Sequence, residues 1–132
     1  MTEEIDKLLK EFESGVGFLP AWARVMKEQN SDLATRFFQF REEVLIKDGA
    51  LPRKTKDLII MAMMALRRWP NGIMIHAKFA MDFGATPQEI SETIFLAMLV
   101  GGPPCFTVAL KTLGLVSKGK EALVDELKRV GF

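Results

Sequence analysis

Two runs without a single polar residue, Leu58–Leu66 (Leu-Ile-Ile-Met-Ala-Met-Met-Ala-Leu) and Ile94–Val100 (Ile-Phe-Leu-Ala-Met-Leu-Val), set the main constraint on this chain. A helix that is apolar all round has to be enclosed by protein or by lipid. The runs are nine and seven residues long, far short of the roughly 20 that cross a bilayer. Protein must therefore enclose them. A fold of 132 residues has enough neighbours to surround about one helix completely. The second is expected against another subunit, which makes the chain an expected oligomer.

The remaining segments are helical by their spacing and punctuation, and none alternates like a strand. Ile5, Leu8, Leu9 and Phe12 fall on one helical face before Gly15 and Gly17 stop the segment. Pro20 opens a short helix to about Gln29. Ser31 is the expected N-cap of the next, which carries Leu33, Phe37, Phe38 and Phe40 and closes near Asp48-Gly49. Pro52 opens a helix that runs to Arg67-Arg68, and Trp69-Pro70-Asn71-Gly72 is turn chemistry. A helix over about 72–83 stops at Gly84, and Thr86-Pro87-Gln88-Glu89 then spells a capping box. That helix ends at Gly101-Gly102, Pro103-Pro104 opens one to about Val116, and a last amphipathic helix covers about 120–130. The expectation is one all-α domain over residues 1–132, a helical bundle.

Charge and residue counts remove several function classes. Eighteen Lys and Arg stand against 17 Asp and Glu, a net charge of +1, which gives no cationic surplus for nucleic acid. One cysteine excludes a disulfide framework and a cysteine zinc cluster, and one histidine limits other metal sites. No metal or cofactor is expected. The N-terminus, Met-Thr-Glu-Glu-Ile-Asp, lacks the pattern of a signal peptide, so a cytoplasmic protein is expected, with no membrane partner.

Three stretches carry a family resemblance. They are Leu51-Pro-Arg-Lys-Thr-Lys-Asp-Leu-Ile59, His76-Ala-Lys-Phe-Ala-Met-Asp-Phe-Gly-Ala-Thr-Pro-Gln-Glu-Ile90 and Gly101-Gly-Pro103. In this order and spacing the region of about 34–116 resembles the carboxymuconolactone decarboxylase and alkylhydroperoxidase D-like superfamily. The N-terminal helices (1–30) and the C-terminal helix (about 120–130) flank that core. The resemblance implies an all-helical bundle of the alkylhydroperoxidase D-like type that assembles as a homotrimer or homohexamer. In the peroxidase branch, a Cys-x-x-Cys-x-x-x-His motif follows a glutamate twelve residues before the first cysteine. On this chain the histidine falls on His76, the cysteines on Trp69 and Gly72, a relay histidine on Asn71 and the glutamate on Asp57. Peroxide reduction by that route needs a thiolate to attack oxygen and a second thiol to resolve the sulfenate, and neither indole nor glycine supplies one. The decarboxylase branch lacks the paired cysteines and commonly carries Arg-Trp upstream of the histidine. Arg68-Trp69 stands in that place, one residue further from His76.

Each candidate residue has two readings. His76 is the one side chain that titrates near neutral pH without large perturbation, and is either an acid–base group or a core-edge histidine bonded to a carbonyl. Asp57 heads the stripe Met61, Met64, Arg68, and is either an acid or base beside an apolar wall or an ordinary first-turn acid paired with Arg53 or Lys54. Arg68 is a substrate-carboxylate binder or a cation offsetting its helix dipole. Trp69 walls a substrate pocket or packs a helix end. Cys105, in a first turn after Gly-Gly-Pro-Pro, is a lone redox thiol or a small buried hydrophobe. The eight methionines read as adaptable core or as a promiscuous apolar pocket.

Three functions follow. The first is lyase-type acid–base chemistry on a small lactone or aromatic carboxylate, with His76 and Asp57 catalytic and Arg68 and Trp69 binding substrate. The second is a non-catalytic oligomeric binding or structural protein. The third is a thiol peroxidase, of peroxiredoxin type, working through Cys105 alone.

Overall fold

Capping chemistry divides the chain into nine α-helices and one π-helical turn in the computed structural model, which describes residues 2–132. They are α1 (Thr2–Val16), α2 (Ala21–Gln29), α3 (Ser31–Arg41), the π turn Glu42–Ile46, α4 (Arg53–Leu66), α5 (Pro70–Asp82), α6 (Pro87–Gly101), α7 (Pro103–Thr107), α8 (Leu110–Val116) and α9 (Lys120–Arg129). No strand occurs among the described residues, as the absence of alternation predicts. The Thr86–Glu89 capping box forms in both directions, with Glu89 N–H donating to Thr86 Oγ1 and Thr86 N–H to Glu89 Oε1.

Four boundaries differ from expectation. Asn30, not Ser31, caps α3: its side chain accepts from Leu33 N–H at 3.0 Å, and Ser31 is already helical. That helix ends at Arg41 and widens into the π turn, where Lys47 N–H reaches back five residues to the Glu42 carbonyl. Pro70 starts α5, two residues before the expected Gly72, because proline at a first helical position has no donor to lose. The expected helix from Pro103 to Val116 is two helices, since Ala109 N–H turns to the Phe106 carbonyl only three residues back.

The enclosed helix is α5, which neither apolar run contains. Ile73, Met74, Ile75, Ala77, Phe79 and Ala80 are all buried, and α1, α4, α8 and α9 pack around them. Each Ile or Met fully buried there contributes about 1.5–3 kcal/mol. The two apolar runs take the next layer, with α4 against α5 and α6 against α4. Met61, Ala65, Ile90, Ile94 and Ala97 face the core, and the opposite faces stay bare. Leu99 is 81% and Val100 78% exposed, beside exposed Phe95, Leu96, Met63 and Leu66. No helix among the described residues is long and apolar enough to cross a membrane.

Candidate active site around Asp57 and His76

Asp57 sits in the second turn of α4 on its inner face and is fully buried. A carboxylate without water needs partners, and it has two. Arg53, one turn earlier, donates Nε–H to Oδ2 at 2.7 Å. On the other side His76 of α5 places Nδ1 3.1 Å from Oδ1. The two sequence candidates for acid–base chemistry therefore meet. The contact follows from α4 and α5 being the most closely packed pair of helices. An ionised Asp57 accepts from Nδ1–H, which fixes the imidazole tautomer and leaves Nε2 as the nitrogen with a free lone pair. The ring stands edge-on to Phe79, with centroids 5.5 Å apart.

His76 lines a cavity of about 440 Å³ whose walls are almost wholly apolar. Phe12, Trp22, Phe37, Ile60, Met64 and Phe79 are among them, and half-exposed Trp69 stands on the same wall. Phe132 closes another side after a helix ending that turns the chain inward. Gly131, at φ 78°, lets Phe132 N–H reach the Leu127 carbonyl, and the ring lands 6.3 Å from both Trp22 and Trp69.

The cation at this cavity is Arg41, at the end of α3, which the sequence pattern did not single out. Its guanidinium lies 4.7 Å from the Phe12 ring centroid and 5.5 Å from that of Phe79. It makes no hydrogen bond or ion pair among the described residues, whereas Arg53 holds Asp57. Burial and the neighbouring Arg53 charge lower Arg41 to about 10, against the opposing pull of Asp57 and Glu42. It remains a cation at neutral pH. The one sequence signal was its place in Phe37-Phe38-Gln39-Phe40-Arg41, a charge one helical turn from Phe37 and next to Phe40.

Arg68 is not at the cavity. It occupies the left-handed position, φ 58°, of a helix-terminating motif in which Arg68 N–H donates to the Ala65 carbonyl and Trp69 N–H to the Met64 carbonyl. Its side chain is exposed. The same motif aims Trp69 at the cavity wall. Cys105 is buried and does not line the cavity. A Cβ on Gly101 would meet its Sγ at 2.5 Å, so the thiol is packed against backbone.

A family model described as the carboxymuconolactone decarboxylase family matches residues 31–113, which hold Arg41, Arg53, Asp57, Trp69, His76 and Phe79. The chain belongs to the carboxymuconolactone decarboxylase family. Relatives include an uncharacterized protein of the cox locus of Paracoccus denitrificans, 33% identical over 58% of this chain and 68% of its own. An uncharacterized protein of Methanocaldococcus jannaschii is 32% identical over 68% of this chain and 86% of its own. Among solved structures, a carboxymuconolactone decarboxylase family protein from Legionella pneumophila is 25% identical and superposes with a TM-score of 0.68, covering 89% of this chain and 98% of that one. A carboxymuconolactone decarboxylase candidate from Burkholderia xenovorans shares the fold, with a TM-score of 0.75 at 24% identity, over 98% of this chain and 95% of that one. Within this family fold, residues 69 and 72 lie together at the start of α5. A Cβ on Gly72 would stand 2.6 Å from Trp69 Cε3 and 2.7 Å from Met64 Sδ. The indole fills the space that a side chain at residue 72 would need.

Proposed function

We propose that this protein is an acid–base enzyme of lyase type acting on a small organic carboxylate that carries a lactone or aromatic ring. The observation that carries the reading is the 3.1 Å contact between buried Asp57 and the Nδ1 of a cavity-lining histidine. Asp57 holds the imidazole in one orientation, and His76 Nε2 moves the proton. In a decarboxylation the bond from carbon to the carboxylate breaks, carbon dioxide leaves, and the electron pair stays on carbon. Protonated His76 then delivers Nε2–H to that carbon and recovers its proton from water. Arg41, in place of the expected Arg68, supplies the positive charge that faces the substrate's negative charge. Trp69 serves as a wall of the cavity.

The reading includes self-association as a homotrimer or homohexamer, supported by the bare apolar faces of α4 and α6. Thiol peroxidase chemistry through Cys105 has no such support. The thiol is buried, and the cavity lies elsewhere.

The test is carbon dioxide release from a panel of lactone acids and hydroxylated aryl acids. His76→Gln and Asp57→Asn are each expected to cut release at least ~100-fold, the usual weight of a positioned acid–base group. Absence of release across the panel would leave the second reading, a non-catalytic binding oligomer, and release unchanged in both variants would take the chemistry away from His76 and Asp57.

A further inference from the structure

The cavity wall holds donors without acceptors. Arg41 is half-buried and unpartnered among the described residues, and the Nε1–H of Trp22, another wall residue, is buried with no hydrogen-bond partner. Buried polar groups are ordinarily paired, because leaving one unpaired costs about 1–3 kcal/mol. What this wall lacks is an anion or an acceptor. It does not lack a cation, since no carboxylate lines this cavity and Asp57, behind His76, is already bonded on both oxygens.

Arg41 also stands at a partition. Together with Phe12 and Phe79 it lines a second cavity of about 320 Å³ on its other side. That cavity is charged differently, with the carboxylates of Glu11, Glu42 and Asp82 against the guanidinium of Arg53. A ligand anchored at Arg41 thus has an apolar chamber for its body and an acid-lined chamber beyond its head. A second negative charge has no good place. In the apolar chamber it would be stripped of water with no cation to meet it. In the other chamber it would face Glu11 and Glu42, Asp82 being paired with Lys78 and Lys120 and Arg53 being held by Asp57.

Resting on the acid–base reading of this site and narrowing its substrate, we infer that the cavity selects monoanionic acids with a largely apolar, ring-sized body. The carboxylate sits at Arg41, the body lies among Trp22, Phe37 and Met64, and dianions are rejected. Arg41 is the residue that determines this specificity. Its guanidinium is pre-set by the flanking Phe12 and Phe79 rings, so little side-chain freedom is lost when the anion binds.

Titration calorimetry with three probes of one shape tests the inference. The probes are 1-naphthoate, the neutral 1-naphthamide and the dianion naphthalene-1,4-dicarboxylate. The full chain is expected to bind 1-naphthoate at least ~10-fold more tightly than either of the others, the ratio that one charge-assisted contact gives. Arg41→Met is expected to lose that preference over the amide while still binding both aryl compounds, and Arg41→Lys to retain part of it. Helicity by circular dichroism checks that each variant is folded, and Arg41→Lys carries the comparison if the methionine variant is not. Equal binding of naphthoate and naphthamide, a dianion that binds as tightly as the monoanion, or no binding of any probe at millimolar concentration would each overturn the inference. The readout is binding, not turnover. Selectivity that persists in His76→Gln, alongside unchanged carbon dioxide release, would refute the acid–base reading and leave this one standing.

Discussion

Trp69 and Gly72 are fitted to each other: the indole Cε3 lies 2.6 Å from where a Cβ on residue 72 would be. The resemblance drawn from the sequence implies that these are the positions of the peroxidase branch's paired cysteines, and this chain has neither thiol there. One large ring fills the space beside a missing side chain, and that ring is part of the cavity wall.

That packing makes a paired prediction. Gly72→Ala is expected to cost about 1–3 kcal/mol through overpacking against Trp69 and Met64. In the Trp69→Ala background the same change is expected to cost far less. Urea unfolding of the four proteins in the cycle measures the coupling, and additive costs would contradict the fit.

Asp57 is expected to be structural as well as catalytic. Asp57→Ala leaves Arg53, whose side chain is only 13% exposed, without its partner. Breaking a buried pair from one side costs on the order of 3–5 kcal/mol. A loss under about 1 kcal/mol in urea unfolding would mean that water reaches this pair freely.

Arg68 tests the opposite case, a functional candidate that the structure moves to a turn. At φ 58° a side chain is disfavoured, and a β-branched one most of all. Arg68→Gly is expected to hold or raise stability, because relief of strain offsets the added freedom of the unfolded chain. Arg68→Val is expected to lose about 1–2 kcal/mol. Neither change is expected to alter the binding of 1-naphthoate.

The sequence was most legible where local chemistry decides structure. The Thr86–Glu89 box, the Pro20, Pro52 and Pro103 openings and the all-α class all follow from capping and periodicity. The Asp57 and His76 pair was legible only through family spacing, since nothing local says that two helices bring residues 19 apart in sequence to 3.1 Å. Arg41 was not legible. An arginine at the end of an exposed, phenylalanine-rich helix looks like any dipole-offsetting cation until α1 and α5 supply Phe12 and Phe79. Arg68 falls off the Asp57–Met61–Met64 stripe because the chain leaves the helix at Arg67 and turns left-handed at Arg68, which periodicity alone does not show. The choice of central helix failed similarly: α5 is mixed in sequence yet enclosed, because Gly72, Ala77 and Ala80 let neighbours approach closely and Lys78 bonds the Gly15 carbonyl and Asp82.

The pH dependence of anion binding follows from Arg41. Its folded value of about 10 lies well below the ordinary guanidinium range, so enclosing the cation costs stability at neutral pH, and that cost fades as pH rises past about 10. Affinity for 1-naphthoate is expected to stay level up to about pH 9 and to fall as pH passes about 10, with 1-naphthamide unaffected. A fall in naphthoate affinity complete by pH 8 would assign the anion site to another group.

The bare faces of α4 and α6 call for a partner, and a second copy is the proposed one. Light scattering at micromolar concentration is expected to give at least three subunits, and Leu99→Glu to lower the mass. A single species at 14.8 kDa would contradict self-association.

The central claim is that Asp57 orients His76 so that Nε2 does the chemistry. Long-range ¹H–¹⁵N correlation of the imidazole measures this most directly, and the chain's single histidine makes the spectrum unambiguous. The expected result is that the proton kept by the ring in its neutral form sits on Nδ1, and that Nε2 is the nitrogen whose resonance moves when 1-naphthoate is added. A ring protonated on Nε2, with both nitrogens unmoved by the ligand, would contradict it.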